Sequence, residues 1–401
     1  MYINIILCQG GKDTNKKSAY LIVIFLSFIL VSVSLTGCIQ EEQDSKETEE
    51  ISPGIQLDQT SILPEWEDGE YHEYYETMDV LNDFQVKYPN LVNLFSIGES
   101  VLGRDIWCIR ITNENITNDK YSCLIDGCIH GNEWEAGEAC LYLTEYLLIN
   151  NEYNDTITNI LNITEVYLIP IVNPDGRIAD DRETDNGVDP NRNFDVFFGK
   201  LFRGHSFRLG KIFNKIKIPK IKIPPNDPVK WYYNCGRYPF SEPETKALSS
   251  FIQELSDEDL SFYVNCHTPA HYVITPWLSY KSPFQLKVQE EDVYGHVIEW
   301  VDKNTEYDGI IGQELNAKTG GNAMDWCFKE FRIPSFTYEI LTMDYYNFEG
   351  EWKHDHLVHW MKTTLPFFMY LLVNIENLHD WETPDIQPIL PKGVPPEPLG
   401  G

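Results

Sequence analysis

The stretch His130-Gly131-Asn132-Glu133 places an imidazole and a carboxylate three positions apart, a pair suited to a divalent cation. Its surroundings read Ser122-Cys123-Leu124-Ile125-Asp126-Gly127-Cys128-Ile129-His130-Gly131-Asn132-Glu133-Trp134-Glu135. An apolar run reads as a strand and small residues end it. From Trp134 the apolar positions Ala136, Cys140, Leu141, Leu143, Leu147 and Leu148 share one broad helical face. His130 and Glu133 then lie in the turn between a strand and a helix. Two ligands from one tight turn, with a third from a distant strand, is a common way to hold zinc at an open catalytic site. Taken alone, the pair equally suits a chance His and Glu at a strand end.

Other stretches carry groups of the same kind. Ser261-Phe262-Tyr263-Val264-Asn265-Cys266-His267 reads as a strand ending in an imidazole, although a satisfied core histidine has the same signature. Pro334-Ser335-Phe336-Thr337-Tyr338-Glu339 ends in a carboxylate. A Glu at a buried strand end must be paired, metal-bound or poised for proton transfer. Asn191-Arg192-Asn193-Phe194 follows the turn-rich Gly187-Val188-Asp189-Pro190. Arg192 is there either a solvated charge or a fork for a carboxylate. His354, His356 and His359 gather near Trp352 and Trp360, and His356 and His359 share a helix face.

Strands and helices must alternate to position these groups. Residues 71–88 carry helical spacing, and Pro89-Asn90 stops it. Residues 94–98 and 106–111 read as paired strands around Gly103. Residues 121–129 read as a buried strand and 134–148 as a helix. Residues 166–172 form another strand, ended by the turn signal Asn173-Pro174-Asp175-Gly176. A glycine turn at 319–322 leads into a helix, and a final apolar helix runs to Val373. The alternation predicts an α/β fold, a mixed and mostly parallel twisted sheet with helices on both faces. Ligand sites in such sheets lie beyond the carboxyl ends of the strands, where His130 and Asn173 fall.

The 401 residues suffice for one large domain or two ordinary ones, and 42% hydrophobic residues suit a chain with a real core. The net charge of -31 argues against general nucleic-acid binding. Lys16 and Lys17 precede an apolar run over 19–33, and Leu35-Thr36-Gly37-Cys38 follows, the order of an export signal. The ending resembles the lipobox of bacterial and archaeal lipoproteins, in which Cys38 becomes the lipidated first residue. The competing reading is an uncut signal anchor. Either places the rest of the chain outside the cytoplasm, held at the outer face of the membrane. The expected organisation is a signal at 1–37, an acidic tether at 38–65, one domain at 66–380 and a Pro-rich tail at 381–401. A basic insert at about 196–230 carries Lys200, Arg203, Arg208, Lys211, Lys215, Lys217, Lys220 and Lys222. It is either a solvated loop or a contact for an anionic membrane surface or polymer. Of nine cysteines, Cys8 and Cys38 precede the domain, and an odd remainder cannot all pair within the chain. Cys123 and Cys128 are expected on opposite faces of one strand, and buried thiols are the default.

The ordered set resembles the zinc carboxypeptidase family typified by carboxypeptidase A, over about residues 66–375. The set comprises the His-x-x-Glu turn, Asn173-Pro174-Asp175-Gly176, Gly187-Val188-Asp189 leading to Asn191-Arg192-Asn193-Phe194, Ser241-Glu242-Pro243-Glu244-Thr245, His267 and Phe336-Thr337-Tyr338-Glu339. The resemblance implies a single-domain zinc carboxypeptidase-like fold with one zinc per chain. Its ligands would be His130, Glu133 and His267, the two-His, one-Glu set known for carboxypeptidase A. Asn191 and Arg192 would hold the substrate's terminal carboxylate. Arg182 would polarise the scissile carbonyl, with Arg177 as the competing match. Glu339 would be the general base for water attacking at zinc. Met324 would lie near the floor of the specificity pocket, where an apolar residue argues against a strict basic preference. Two departures stand out. Asn316 occupies the place of a mobile Tyr, and Gly-Asn follows His130 where the digestive branch has Ser-Arg. The implied activity is removal of C-terminal residues from peptides or proteins. The alternatives are a zinc amidohydrolase or cell-wall peptide endopeptidase on the same scaffold, or an inactive peptide-binding lipoprotein.

Overall fold

The computed structural model describes residues 71–199, 234–278, 285–315, 320–341 and 357–384. The export signal, Cys38, the tether, the insert beyond residue 199, Asn316, His354, His356 and the tail from 385 lie outside the described residues.

Helix α1 (Tyr74–Lys87) leads into β1 (Val92–Glu99), which pairs antiparallel with β2 (Asp105–Ile111). Gly103 makes this turn at φ +76°, a left-handed conformation that costs glycine little. β3 (Tyr121–Asp126) is followed by α2 (Trp134–Asn150), α3 (Asp155–Ile163) and β4 (Thr164–Ile169). The short α4 (Pro174–Ala179) and then α5 (Pro243–Asp257) precede β5 (Leu260–His267) and β6 (Tyr272–Thr275). The chain continues through α6 (Val288–Asn304), β7 (Asp308–Ile311), α7 (Ala323–Phe331) and β8 (Ser335–Glu339). It ends in α8 (Leu357–Val373) and α9 (Ile375–His379).

The eight strands form one sheet in the order β1-β2-β4-β3-β5-β8-β6-β7. Pairings β4–β3, β3–β5, β5–β8 and β6–β7 are parallel, and the other three are antiparallel. The mixed sheet is therefore parallel at its centre. All eight residues of β5 are buried, so both faces of the central sheet are covered. α2 is buried nearly all round, which explains why its sequence shows a broad apolar face rather than a narrow stripe.

Three expectations need correction. The strand expected at 121–129 ends at Asp126; Gly127 and Cys128 still bond to residues 169–173 but depart from the regular ladder, Cys128 at φ +46°. Cys123 and Cys128 therefore do not share a strand, and the opposite-faces argument fails. The strand expected at 166–172 runs Thr164–Ile169 instead. Pro170 has no N–H for the ladder, so its regular pattern stops there, although the Val172 and Asn173 N–H groups donate on to the Gly127 and Cys128 carbonyls, each at 3.0 Å. The turn signal Asn173-Pro174-Asp175-Gly176 starts a helix, with the Asn173 side chain accepting from the Gly176 N–H at 3.0 Å. α3 was not anticipated. Its N-cap, Asn154, accepts from the Thr156 N–H at 2.9 Å. The seven described cysteines are free, and all but Cys235 are buried.

Candidate active site

The parallel register of three neighbouring strands builds the site. Asp126 lies opposite Asn265 across β3 and β5, and His267 lies opposite Glu339 across β5 and β8. All four therefore reach the carboxyl edge of the sheet together. The chain leaving β3 turns at once, and His130 and Glu133 project from that turn ahead of α2. Gly131 makes the turn fit, because a Cβ there would lie 2.0 Å from the Gly176 backbone at the start of α4. Only glycine allows this approach.

His130, Glu133 and His267 converge, with one ligand atom from each lying within 4.8 Å of the others. The Nδ1 of His130 is 2.7 Å from Glu133 Oε1, and the Nδ1 of His267 is 2.7 Å from Glu133 Oε2. Both imidazoles thus present the same ring nitrogen to one carboxylate. Their far nitrogens are engaged elsewhere: His130 Nε2 lies 3.1 Å from Asp189 Oδ1, and His267 Nε2 lies 2.5 Å from Asn265 Oδ1. All three side chains are buried. Two imidazoles and one carboxylate, each oriented from behind, fit zinc and leave a fourth coordination position for another group.

The electrostatics are those of a compact charge cluster. Burial pushes the Glu133 carboxyl up, but His130 and His267 outweigh it and hold it well below the usual carboxylate range. Burial also pushes Asp189 up, and Arg182 and His130 prevail to hold it far down. Burial and Arg182 pull the His130 imidazole down, yet Glu133 and Asp189 leave it raised overall. Glu339 is raised, by burial first and by the Glu133 charge next, against the pull of His267.

Arg182 joins the cluster. Its Nη1 donates to Glu133 Oε1 at 3.0 Å and its Nε to Asp189 Oδ2 at 3.0 Å. Arg177 does not: it stacks over the Trp134 ring at 3.4 Å and donates to the His72 carbonyl. Asn191 and Arg192 sit in a single turn of 3₁₀ helix after Asp189. The Asn191 amide nitrogen lies 2.9 Å from His267 Nε2, and its oxygen accepts the Ala323 N–H at 2.8 Å. Arg192 is half-buried, and burial lowers its guanidinium pKa. Its Nη1 donates to the Asn191 carbonyl at 2.7 Å, while its Nε has no acceptor among the described residues. Gly321, at φ +89°, packs directly on the Arg192 backbone, where a Cβ would come within 2.2 Å of the Arg192 oxygen. Met324 is fully buried beside Ala323, with Sδ 3.5 Å from Thr337 Oγ1.

Sequence reasoning did not single out Asp189, Asn193, Asp126 or Asn265. Asn193 anchors the segment carrying Arg192: its amide donates to the Cys235 carbonyl at 2.7 Å, and its oxygen accepts from Thr245 Oγ1 at 2.6 Å. Asp189 and Asn193 lay inside a recognised motif, but short polar residues beside a turn also read as turn formers.

The chain matches the family model described as zinc carboxypeptidase over residues 77–349. It is similar to carboxypeptidase O of Bos taurus, 24% identical over 306 residues, covering 72% of this chain and 75% of that protein. Among solved structures it resembles bovine thrombin-activatable fibrinolysis inhibitor, crystallised with a tick carboxypeptidase inhibitor (TM-score 0.59, 20% identity, covering 77% of this chain and 98% of that one). It also resembles the carboxypeptidase A of Helicoverpa armigera (TM-score 0.59, 19% identity, covering 78% and 74%). These structures share the fold, and the family match spans the strands and turns that bring His130, Glu133 and His267 together. The chain therefore belongs to the zinc carboxypeptidase family and is a metallocarboxypeptidase of the hydrolase class.

Proposed function

We propose that the protein removes residues from the C-termini of peptides, with Arg192 as the clamp for the terminal carboxylate and Glu339 as the base. The observation that carries this reading is the placement of Arg192. A half-buried guanidinium stands beside Asn191, which touches His267, and its Nε lacks an acceptor among the described residues. Such a guanidinium, with a donor still to be satisfied, suits a carboxylate, which a planar fork can hold in bidentate fashion. Fixing the chain end there would hold the last peptide bond near the metal ligands.

Zinc, when bound, supplies a Lewis acid that polarises a carbonyl and brings the pKa of water to about 7. The chain's own groups do the rest. Glu339, with its carboxyl raised, takes a proton from the attacking water and passes it to the leaving amine, a contribution of roughly 10²–10⁴-fold. Arg182, oriented by Asp189, offers a fixed positive charge where the carbonyl oxygen becomes negative. Met324 contributes an apolar wall to the pocket for the departing side chain.

The same proposal places the enzyme at the outer face of the cell membrane. Lys16, Lys17, the apolar run over 19–33 and Cys38 after Leu35-Thr36-Gly37 support a lipid-anchored export product. Among the described residues, no helix is long and apolar enough to cross a membrane.

One sequence observation favours a second reading. Asn316 stands where the family has a Tyr that closes over the terminal carboxylate, which suits an amidohydrolase or endopeptidase acting on cell-wall peptides. Hydrolysis of a blocked dipeptide with a free carboxylate, compared with its C-terminal amide, tests the two. Preference for the free acid, abolished by a chelator and restored by zinc, supports the exopeptidase. Equal cleavage of acid and amide overturns it.

A further inference from the structure

His267 has two amide neighbours at Nε2: Asn265 Oδ1 at 2.5 Å and Asn191 Nδ2 at 2.9 Å. Each amide is fixed from its other end. Asn265 Nδ2 donates to Asp126 Oδ1 at 2.5 Å, and Asp126 Oδ2 accepts the Tyr263 hydroxyl at 2.6 Å. Asn191 Oδ1 accepts the Ala323 N–H at 2.8 Å. Asp126, Tyr263 and Asn265 are fully buried.

A neutral imidazole carries one N–H. The Nδ1 of His267 faces Glu133 and is the nitrogen available to a metal; with zinc held there, the proton belongs on Nε2. An N–H there needs an acceptor. The Asn191 amide nitrogen cannot be one, and the Asn265 oxygen can. An amide by itself can present either end. Turned over, Asn265 would offer its NH₂ to Nε2 and favour the tautomer with hydrogen on Nδ1, which cannot bind a metal. The Asp126 carboxylate, an acceptor on both oxygens, prevents that.

We propose that Asp126 and Asn265 form a buried relay that sets the tautomer of His267, so that Nδ1 is presented as a zinc ligand. The proposal rests on His130, Glu133 and His267 being the zinc ligands. Both relay members are positioning residues. The arrangement accounts for a buried acid without a cation beside it at the end of β3. It also frees the Asn191 amide for another acceptor once Nε2 carries hydrogen, as a clamp for a terminal carboxylate requires.

The test measures the zinc dissociation constant by chelator competition for the parent, Asp126→Asn, Asn265→Leu and His267→Ala. The second readout is the ¹H–¹⁵N signal of the His267 Nε2–H in histidine-labelled, zinc-saturated protein, whose exchange with solvent reports the bond to Asn265. Asp126→Asn and Asn265→Leu are each expected to weaken zinc by about 10–100-fold. Asp126→Asn is also expected to speed exchange of that hydrogen, because the new amide lets Asn265 turn over and withdraw its acceptor. A purely structural role would not single out that hydrogen. Should Asn265→Leu fail to fold, Asp126→Asn alone decides. Zinc affinity equal to the parent in a folded relay variant overturns the relay, as does unchanged exchange of the Nε2 hydrogen in Asp126→Asn. If His267→Ala keeps the parent affinity, the ligand assignment falls instead, and the two failures are told apart.

Discussion

Arg182 donates to Glu133 Oε1 at 3.0 Å, the same oxygen that faces His130 Nδ1 at 2.7 Å. The guanidinium is thereby tied to the ligand turn. Asp189 secures both partners from behind, with one oxygen toward His130 Nε2 and the other toward Arg182 Nε. One buried carboxylate therefore orients an imidazole and a guanidinium together. The Arg182 side chain keeps 22% of its surface accessible, enough to meet a substrate oxygen.

A charge placed this way acts mainly where the carbonyl oxygen becomes negative. Arg182→Ala is expected to lower kcat by about 10²–10³-fold with a much smaller change in KM. Arg182→Lys should recover little, since one ammonium cannot span Glu133 and Asp189 as the fork does. Steady-state kinetics with zinc content measured in parallel check this. Loss of zinc in Arg182→Ala with normal turnover per bound metal would assign Arg182 to the metal site alone.

Glu339 lies opposite His267 in the β5–β8 register, and burial raises its carboxyl. Glu339→Gln keeps the shape and removes the base. Zinc content should stay at the parent level while kcat falls by about 10²–10⁴-fold. Turnover retained by the zinc-loaded variant would remove Glu339 from the mechanism.

Arg192 is the candidate for recognising the chain end. Arg192→Ala should raise KM for a peptide with a free terminal carboxylate far more than for its amide. A bidentate pair lost from a desolvated site leaves the carboxylate buried and unpaired, a cost of roughly 2–5 kcal/mol. Equal effects on acid and amide would show that Arg192 does not read the terminus.

Much of this site was legible in the sequence because strand ends announce themselves. Apolar runs ending in His267 and Glu339, and a run broken by small residues before His130, place three groups at one sheet edge once the order is parallel. Where the sheet stops was less legible. Ile129 and Val172 continue the apolar pattern beyond β3 and β4, but the regular ladder ends at Gly127 and Pro170 first. The supporting shell was harder still. Asp126, Asn265 and Asp189 matter through which atom each turns toward a neighbour, and a sequence records only that a polar residue is present. α3 escaped notice because its nine residues stand directly against β4, with no loop to separate the two patterns.

Away from the metal cluster, Glu244 should leave a mark on stability. It lies in the first turn of α5, where the helix dipole favours a charged carboxylate by about 0.3–1 kcal/mol. Burial wins over that. The side chain is fully buried; one oxygen accepts the Val101 N–H at 2.9 Å, and Oε2 has no partner among the described residues. Its carboxyl is pushed from 4.5 up to about 7, by burial first, with the Asp175 and Glu242 charges adding to it. The folded state thus holds this proton more tightly than the unfolded chain does. Its contribution to stability is undiminished below pH 4.5 and declines as pH rises toward 7, because the unfolded chain ionises first. That interval corresponds to roughly 3 kcal/mol as an upper bound. Glu244→Gln mimics the protonated form at every pH. Urea unfolding of both proteins should show nearly equal stability at pH 4.5, and the variant more stable by up to about 3 kcal/mol at pH 8. Other titrating groups, the metal ligands included, cancel in the difference. A gap between the two proteins that is the same at both pH values would mean that the fold does not raise the Glu244 carboxyl.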